Sequence, residues 1–180
     1  MEAKIRIKPG TTGGIALSEL GRHEAAINSY DQALQCRPAN DQAWYNRGIA
    51  LSELGQHEEA INSFGKALKL KPDDHQAWYN RGNCLGLLER YREAIASYDK
   101  ALQLNPDNLG VFYKKARCYA LQAKSEAAIN HLSRALTLAP HTYQKLAATD
   151  PAFDRIRQNK AFQSLLIGSF SPEVAEPLDL

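Results

Sequence analysis

Gln42-Ala43-Trp44-Tyr45-Asn46-Arg47-Gly48 recurs without change as Gln76-Ala77-Trp78-Tyr79-Asn80-Arg81-Gly82, an offset of 34 residues. The copying extends outward from this core. Residues 14–40 match residues 48–74 at 17 of 27 positions. A weaker copy follows, with Phe112-Tyr113 in place of Trp44-Tyr45 and Trp78-Tyr79. Pro38, Pro72, Pro106 and Pro140 keep the same period. Self-similarity at such a period marks a stack of supersecondary units, none of which can bury its apolar face alone.

Each unit reads as two helices. Trp44, Gly48 and Leu51 fall on one face of a first helix, and Ala60, Phe64 and Ala67 on one face of a second. Gly55 marks the turn between them. Pro72 closes the second helix, because it has no N–H and disfavours helix in the residue before it. Asp74 is placed to cap the next helix. The small Gly48 and Ala60 are expected where the two helix backbones come closest, with Trp44 and Phe64 filling the wider gaps.

These residues resemble the signature of the tetratricopeptide repeat family, in a bacterial version. It reads Trp44, Gly48, Leu51, Ala60, Phe64, Ala67, Pro72, then Trp78, Gly82, Leu85, Ala94, Tyr98, Ala101, Pro106, then Phe112, Ala116, Tyr119, Ala128, Leu132, Ala135, Pro140. The resemblance implies an all-α, right-handed superhelical solenoid of antiparallel helix pairs. About three full repeats are expected, with a truncated first repeat and a C-terminal helical cap.

Both ends depart from the pattern. Gly10 takes the Trp position of the first copy, within Pro9-Gly10-Thr11-Thr12-Gly13-Gly14, a string that resists helix. Residues 1–13 are therefore expected to be irregular, with a short first helix beginning near Thr12 or Gly14. Repeats then occupy residues 14–142, as 7–40 (incomplete), 41–74, 75–108 and 109–142. After His141 the phase is lost. Phe153, Ile156, Phe162, Leu165 and Leu166 suit capping helices over 143–167, and residues 168–180 suit an acidic mobile tail. An incomplete first helix would leave part of the second-helix face, around Ile27, Tyr30 and Leu34, less covered than its equivalents, so self-association or docking is expected through residues 1–34.

Chemistry has little foothold. His23-Glu24 and His57-Glu58 begin like a zinc-protease helix motif, but Ile27 and Ile61 stand where the second histidine must be. Cys36, Cys84 and Cys118 are odd in number and lack CxxC spacing. Cys84 and Cys118 share a repeat position with Ala16 and Ala50, which reads as a small inward site. No phosphate loop or carboxylate pair in an apolar setting is visible. The expectation is no enzyme, no catalytic residue, no metal and no cofactor. The net charge of +2 offers no footprint for nucleic acid. No apolar run is long enough to span a bilayer, so no membrane partner is expected. The unpaired cysteines and the absence of a secretory start suit the cytoplasm.

In the family, first helices line the concave side of the superhelix. The resemblance thus implies a peptide-binding set of Tyr45, Asn46, Ile49, Tyr79, Asn80, Asn83, Tyr113, Lys114 and Arg117. The asparagines resemble the ladder in the repeat domain of O-linked N-acetylglucosamine transferase, which holds extended chains. The family also includes co-chaperones whose groove cations clamp a terminal carboxylate. Here Lys114, Lys115 and Arg117 crowd one repeat, with Glu126 as the only nearby acid expected and the acidic tail as an occupant. The reading is a protein–protein interaction scaffold or adaptor holding an extended peptide or partner protein. The alternative is an accessory or substrate-presenting domain of a larger enzyme or assembly.

Overall fold

The computed structural model describes residues 10–168, and among them there are helices and no strands. The chain divides into two compact units, residues 1–106 and 107–180.

The first unit holds three helix pairs: α1 (Thr11–Glu19) with α2 (His23–Cys36), α3 (Asp41–Glu53) with α4 (His57–Leu70), and α5 (His75–Leu87) with α6 (Tyr91–Leu104). Helix α2 also packs on α3 and α4 on α5, while α1, α3 and α5 are neighbours in turn. Asn40 and Asp74 cap α3 and α5, their side-chain oxygens accepting backbone N–H groups of the first turn. Trp44 and Trp78 are half-buried, and each donates its indole N–H to the carbonyl of Pro38 or Pro72 just upstream, at 2.8 and 2.9 Å. The tryptophan therefore fastens the turn between repeats as well as filling space.

The turn inside each pair needs one left-handed residue, at Gly21 (φ 70°) and Gly55 (φ 74°). The N–H of the next residue, Arg22 or Gln56, reaches back to Leu17 or Leu51 at 2.9 Å, the closure of a Schellman motif. Glu89 and Ala123 occupy the same repeat position with φ of 59° and 58°, so the later turns hold strain that glycine avoids.

The packing glycines make room for a ring rather than for a backbone. A Cβ on Gly14 would lie 2.4 Å from Tyr30, on Gly48 2.7 Å from Phe64, and on Gly82 2.6 Å from Tyr98. Those three rings are almost wholly buried, and Ala26, Ala60 and Ala94 on the same second helices are fully buried.

The first repeat is more complete than its sequence suggests. Helix α1 begins at Thr11, so Thr11, Thr12 and Gly13 are helical and not irregular. Gly13 and Gly14 are buried, and the contact of Gly14 with Tyr30 rewards helix where propensity alone opposes it. Tyr30 at 1% and Leu34 at 6% exposure are covered, which removes much of the expected bare edge; Ile27 stays half-buried.

The second unit pairs α7 (Leu109–Leu121), capped by Asn108, with α8 (Ser125–Leu138). It continues through α9 (Pro140–Thr149), a 3-10 helix (Pro151–Ile156) and α10 (Lys160–Gly168). Pro140 follows the C-cap of α8 as Pro72 follows that of α4, but here another helix starts at once. It opens α9 at the first helical position, where its missing N–H costs nothing. The 3-10 helix packs on α7, and α9 and α10 on α8. Phe153, Ile156 and Phe162 join Ala116, Leu132 and Tyr113 in one core. No helix among the described residues is long and apolar enough to cross a membrane. The expected acidic tail lies beyond Gly168, outside the described residues, as do residues 1–9.

Candidate peptide-binding face and an adjoining pocket

In the first unit, the face shared by α3 and α5 carries six of the nine candidate residues. All six are half-buried. Tyr45 rests its ring 5.8 Å from Phe64, and Tyr79 rests 6.1 Å from Tyr98. The Asn80 amide donates to the Tyr45 hydroxyl at 3.1 Å, joining α5 to α3. Burial, with the Asp74 carboxylate nearby, pushes the Tyr45 phenol up, and the Asn80 bond opposes this. Asn83 accepts the Tyr98 hydroxyl at 2.9 Å. Its repeat equivalent is Ile49, and the equivalent of Tyr98 is Phe64, which has no hydroxyl. Asn46 makes no hydrogen bond to another described residue. The three asparagines are therefore not alike: Asn46 is unengaged, Asn80 is half engaged, and the Asn83 oxygen is in use.

The second unit treats the remaining three differently. Tyr113 is only 7% exposed and belongs to the core. Its hydroxyl donates to Asp150 Oδ2 at 2.8 Å, and its ring lies 5.2 Å from Tyr143 and 5.8 Å from Phe153. Burial first, then the Asp150 bond and charge, push its phenol well above the ordinary range. It is not a solvent-facing contact, because the segment after the repeats covers it. Arg117 Nε sits 2.7 Å from the same Asp150 oxygen, an ion pair whose N–H is not aimed along the contact. Glu126 is thus not the only acid near these cations. Lys115 is buried, as Arg47 and Arg81 at its repeat position are half-buried, their guanidiniums donating to Ser63 and Ser97 at 2.8 Å. Lys114 makes no hydrogen bond or ion pair with a described residue.

Tyr113, Lys114 and Arg117 line a pocket of about 530 Å³ together with Tyr143, Leu146, Thr149 and Asp150. The last four escaped the sequence reading. In the sequence Asp150-Pro151 reads as a helix break. In the structure Asp150 Oδ1 accepts the Ala152 N–H and starts the 3-10 helix, while Oδ2 faces α7. An aspartate just before a proline, at the end of a helix, was the available signal.

Among the described residues, no three His, Cys, Asp or Glu side chains converge as metal ligands do.

Residues 42–74, 75–108 and 109–142 match families described as Tetratricopeptide repeat, and residues 14–55 match one described as TPR repeat. The chain belongs to the tetratricopeptide repeat family. No curated protein sequence matches it. Solved structures share the tetratricopeptide fold over nearly its whole length. One of MamA has a TM-score of 0.77 at 19% identity, covering 94% of this chain and 92% of that one. MamA 41-end from Desulfovibrio magneticus RS-1 gives 0.76 at 22%, covering 87% and 88%. YrrB, described as a TPR protein with an unusual peptide-binding site, gives 0.73 at 21%, covering 91% and 86%. Membership of this family supports a protein-interaction scaffold.

Proposed function

We propose that the chain is a non-catalytic adaptor that holds an extended segment of a partner protein along the face formed by α1, α3 and α5. The carrying observation is the state of two amides one repeat apart. Asn46 is half-buried with no internal hydrogen bond, and Asn80 uses one N–H on Tyr45 and keeps its oxygen open. An amide offers donor and acceptor together, which suits a peptide backbone. Tyr45 and Tyr79 flank the pair with half-buried rings, a side chain enriched at binding surfaces. The peptide-binding site ascribed to the similar YrrB supports the same reading.

The test begins with capture of partners from the native cell extract and their identification by mass spectrometry. Asn46→Ala is then the clean probe, since no internal bond is lost. Its melting temperature should match that of the parent, and partner affinity should fall roughly three- to tenfold, the worth of one net hydrogen bond. Unchanged affinity for a verified partner would move the binding surface elsewhere.

A further inference from the structure

The pocket of the second unit has an electrostatic imbalance. Its charged lining consists of Lys114, Arg117 and Asp150. Arg117 and Asp150 offset each other at 2.7 Å. Asp150 is further committed to the Tyr113 hydroxyl, the Ala152 N–H and, through its backbone carbonyl, the Arg157 guanidinium. The Lys114 ammonium is left half-buried with no carboxylate upon it. Burial, with Arg117 next to it, lowers its pKa, and the nearby Asp150 offsets this only in part. Beside it the wall is apolar: the Tyr143 ring lies tilted against Tyr113, and Leu146 is 46% exposed, large for an aliphatic side chain. The volume falls within the range of ordinary ligand sites.

We infer that this pocket binds an acidic side chain of a partner polypeptide, its carboxylate on Lys114 and a neighbouring large apolar side chain against Tyr143 and Leu146. The carboxylate supplies the charge that Asp150 cannot, and the apolar neighbour removes Leu146 from water. The second wall comes from α9, beyond the repeats, so the site exists only because the capping segment is there. For the class of its ligand the inference rests on the adaptor reading. The two fail separately, because Asn46 belongs to the other compact unit.

The probe is acetyl-Phe-Asp-amide, with acetyl-Phe-Asn-amide as its neutral isostere. Both are titrated into the full ¹⁵N-labelled chain and followed by amide shifts. The aspartyl peptide should bind saturably, moving Gly110, Leu146 and Thr149. The asparaginyl peptide should bind about fivefold or more weakly. Lys114→Met, which keeps the length of the stem, should abolish that preference while leaving the melting temperature in place; Asn46→Ala should leave it intact. Equal binding of both peptides, a preference that survives Lys114→Met, or no saturable shift at these residues would each overturn the inference. So would binding that emerges only in a chain ending at Gly168, because the chain's own acidic tail would then be the occupant.

Discussion

The Tyr98 hydroxyl donates to Asn83 Oδ1 at 2.9 Å, and one repeat earlier the same two positions hold Phe64 and Ile49. Two repeats earlier these positions hold Tyr30 and Ile15, so Asn83 is a feature of its own repeat. In the first repeat the Tyr30 hydroxyl pairs with Ser18 at 3.4 Å, whereas in the third the Tyr98 hydroxyl pairs with Asn83. Asn83 is thus tied to the inside of its own repeat, while Asn46 is not.

Asn83→Ile alone should therefore destabilise, because a hydrogen bond to a buried hydroxyl is lost. The expected cost is about 1 kcal/mol, or a fall in melting temperature of roughly 2–4 °C for a chain of this size. Asn83→Ile with Tyr98→Phe rebuilds the Ile49–Phe64 pairing and should recover most of it. Thermal or urea denaturation of the two singles and the double closes the cycle. Purely additive losses would show that the two residues are not coupled.

Two glycines should answer oppositely to the same substitution. A Cβ on Gly48 would meet three atoms of the buried Phe64 ring at 2.7–2.9 Å. The ring has no free direction in which to yield, so Gly48→Ala should cost about 1–3 kcal/mol. Gly65, inside α4, has nothing within 4 Å of its added Cβ. Gly65→Ala should stabilise by up to about 1 kcal/mol through helix propensity. Parallel urea melts decide it, and a tolerated Gly48→Ala would mean the pair opens more easily than its packing implies.

The repeats were legible because every structural demand is posed several times and answered with the same residue type. Trp44 and Trp78, Gly48 and Gly82, and Gly21 and Gly55 each report one recurring need. The start of α1 was harder to read. Four glycines between residues 10 and 21 argue against helix locally, and only the Tyr30 ring, 16 residues on from Gly14, explains why helix prevails. The candidate site was legible as a face and illegible in its occupancy. Whether an amide is free depends on a hydroxyl across the repeat, as with Asn80 and Tyr45. The signal for Asn83 was a polar residue where the two earlier copies hold Ile15 and Ile49. Asp150-Pro151 announced a turn but not the partner on α7, since the segment after His141 is not repeated and one aspartate cannot declare what it pairs with.

The buried cysteines give the last expectation. Cys36 is exposed, whereas Cys84 and Cys118 are buried. Burial pushes the Cys84 thiol up and the Cys118 thiol up to about 11, from an ordinary value of 9.0. At mildly alkaline pH a thiol-disulfide reagent should consume Cys36 at once, and the other two only as the chain unfolds. The sign of the pH effect follows from the direction of the shift. The folded state holds the Cys118 proton more tightly than the unfolded state, so the associated stability is complete below about pH 9. It is lost as pH climbs from 9 to 11, by up to about 3 kcal/mol in all. The raised Tyr113 phenol adds a further loss above about pH 10. Cys118→Ala should remove only the first part. The substitution suits the site, because Ala16 and Ala50 fill the same repeat position. Urea midpoints measured at pH 8, 9, 10 and 10.5 for both chains separate the contributions. An identical decline in the two would show that Cys118 exchanges its proton as readily folded as unfolded, and that its burial in α7 is not maintained in solution.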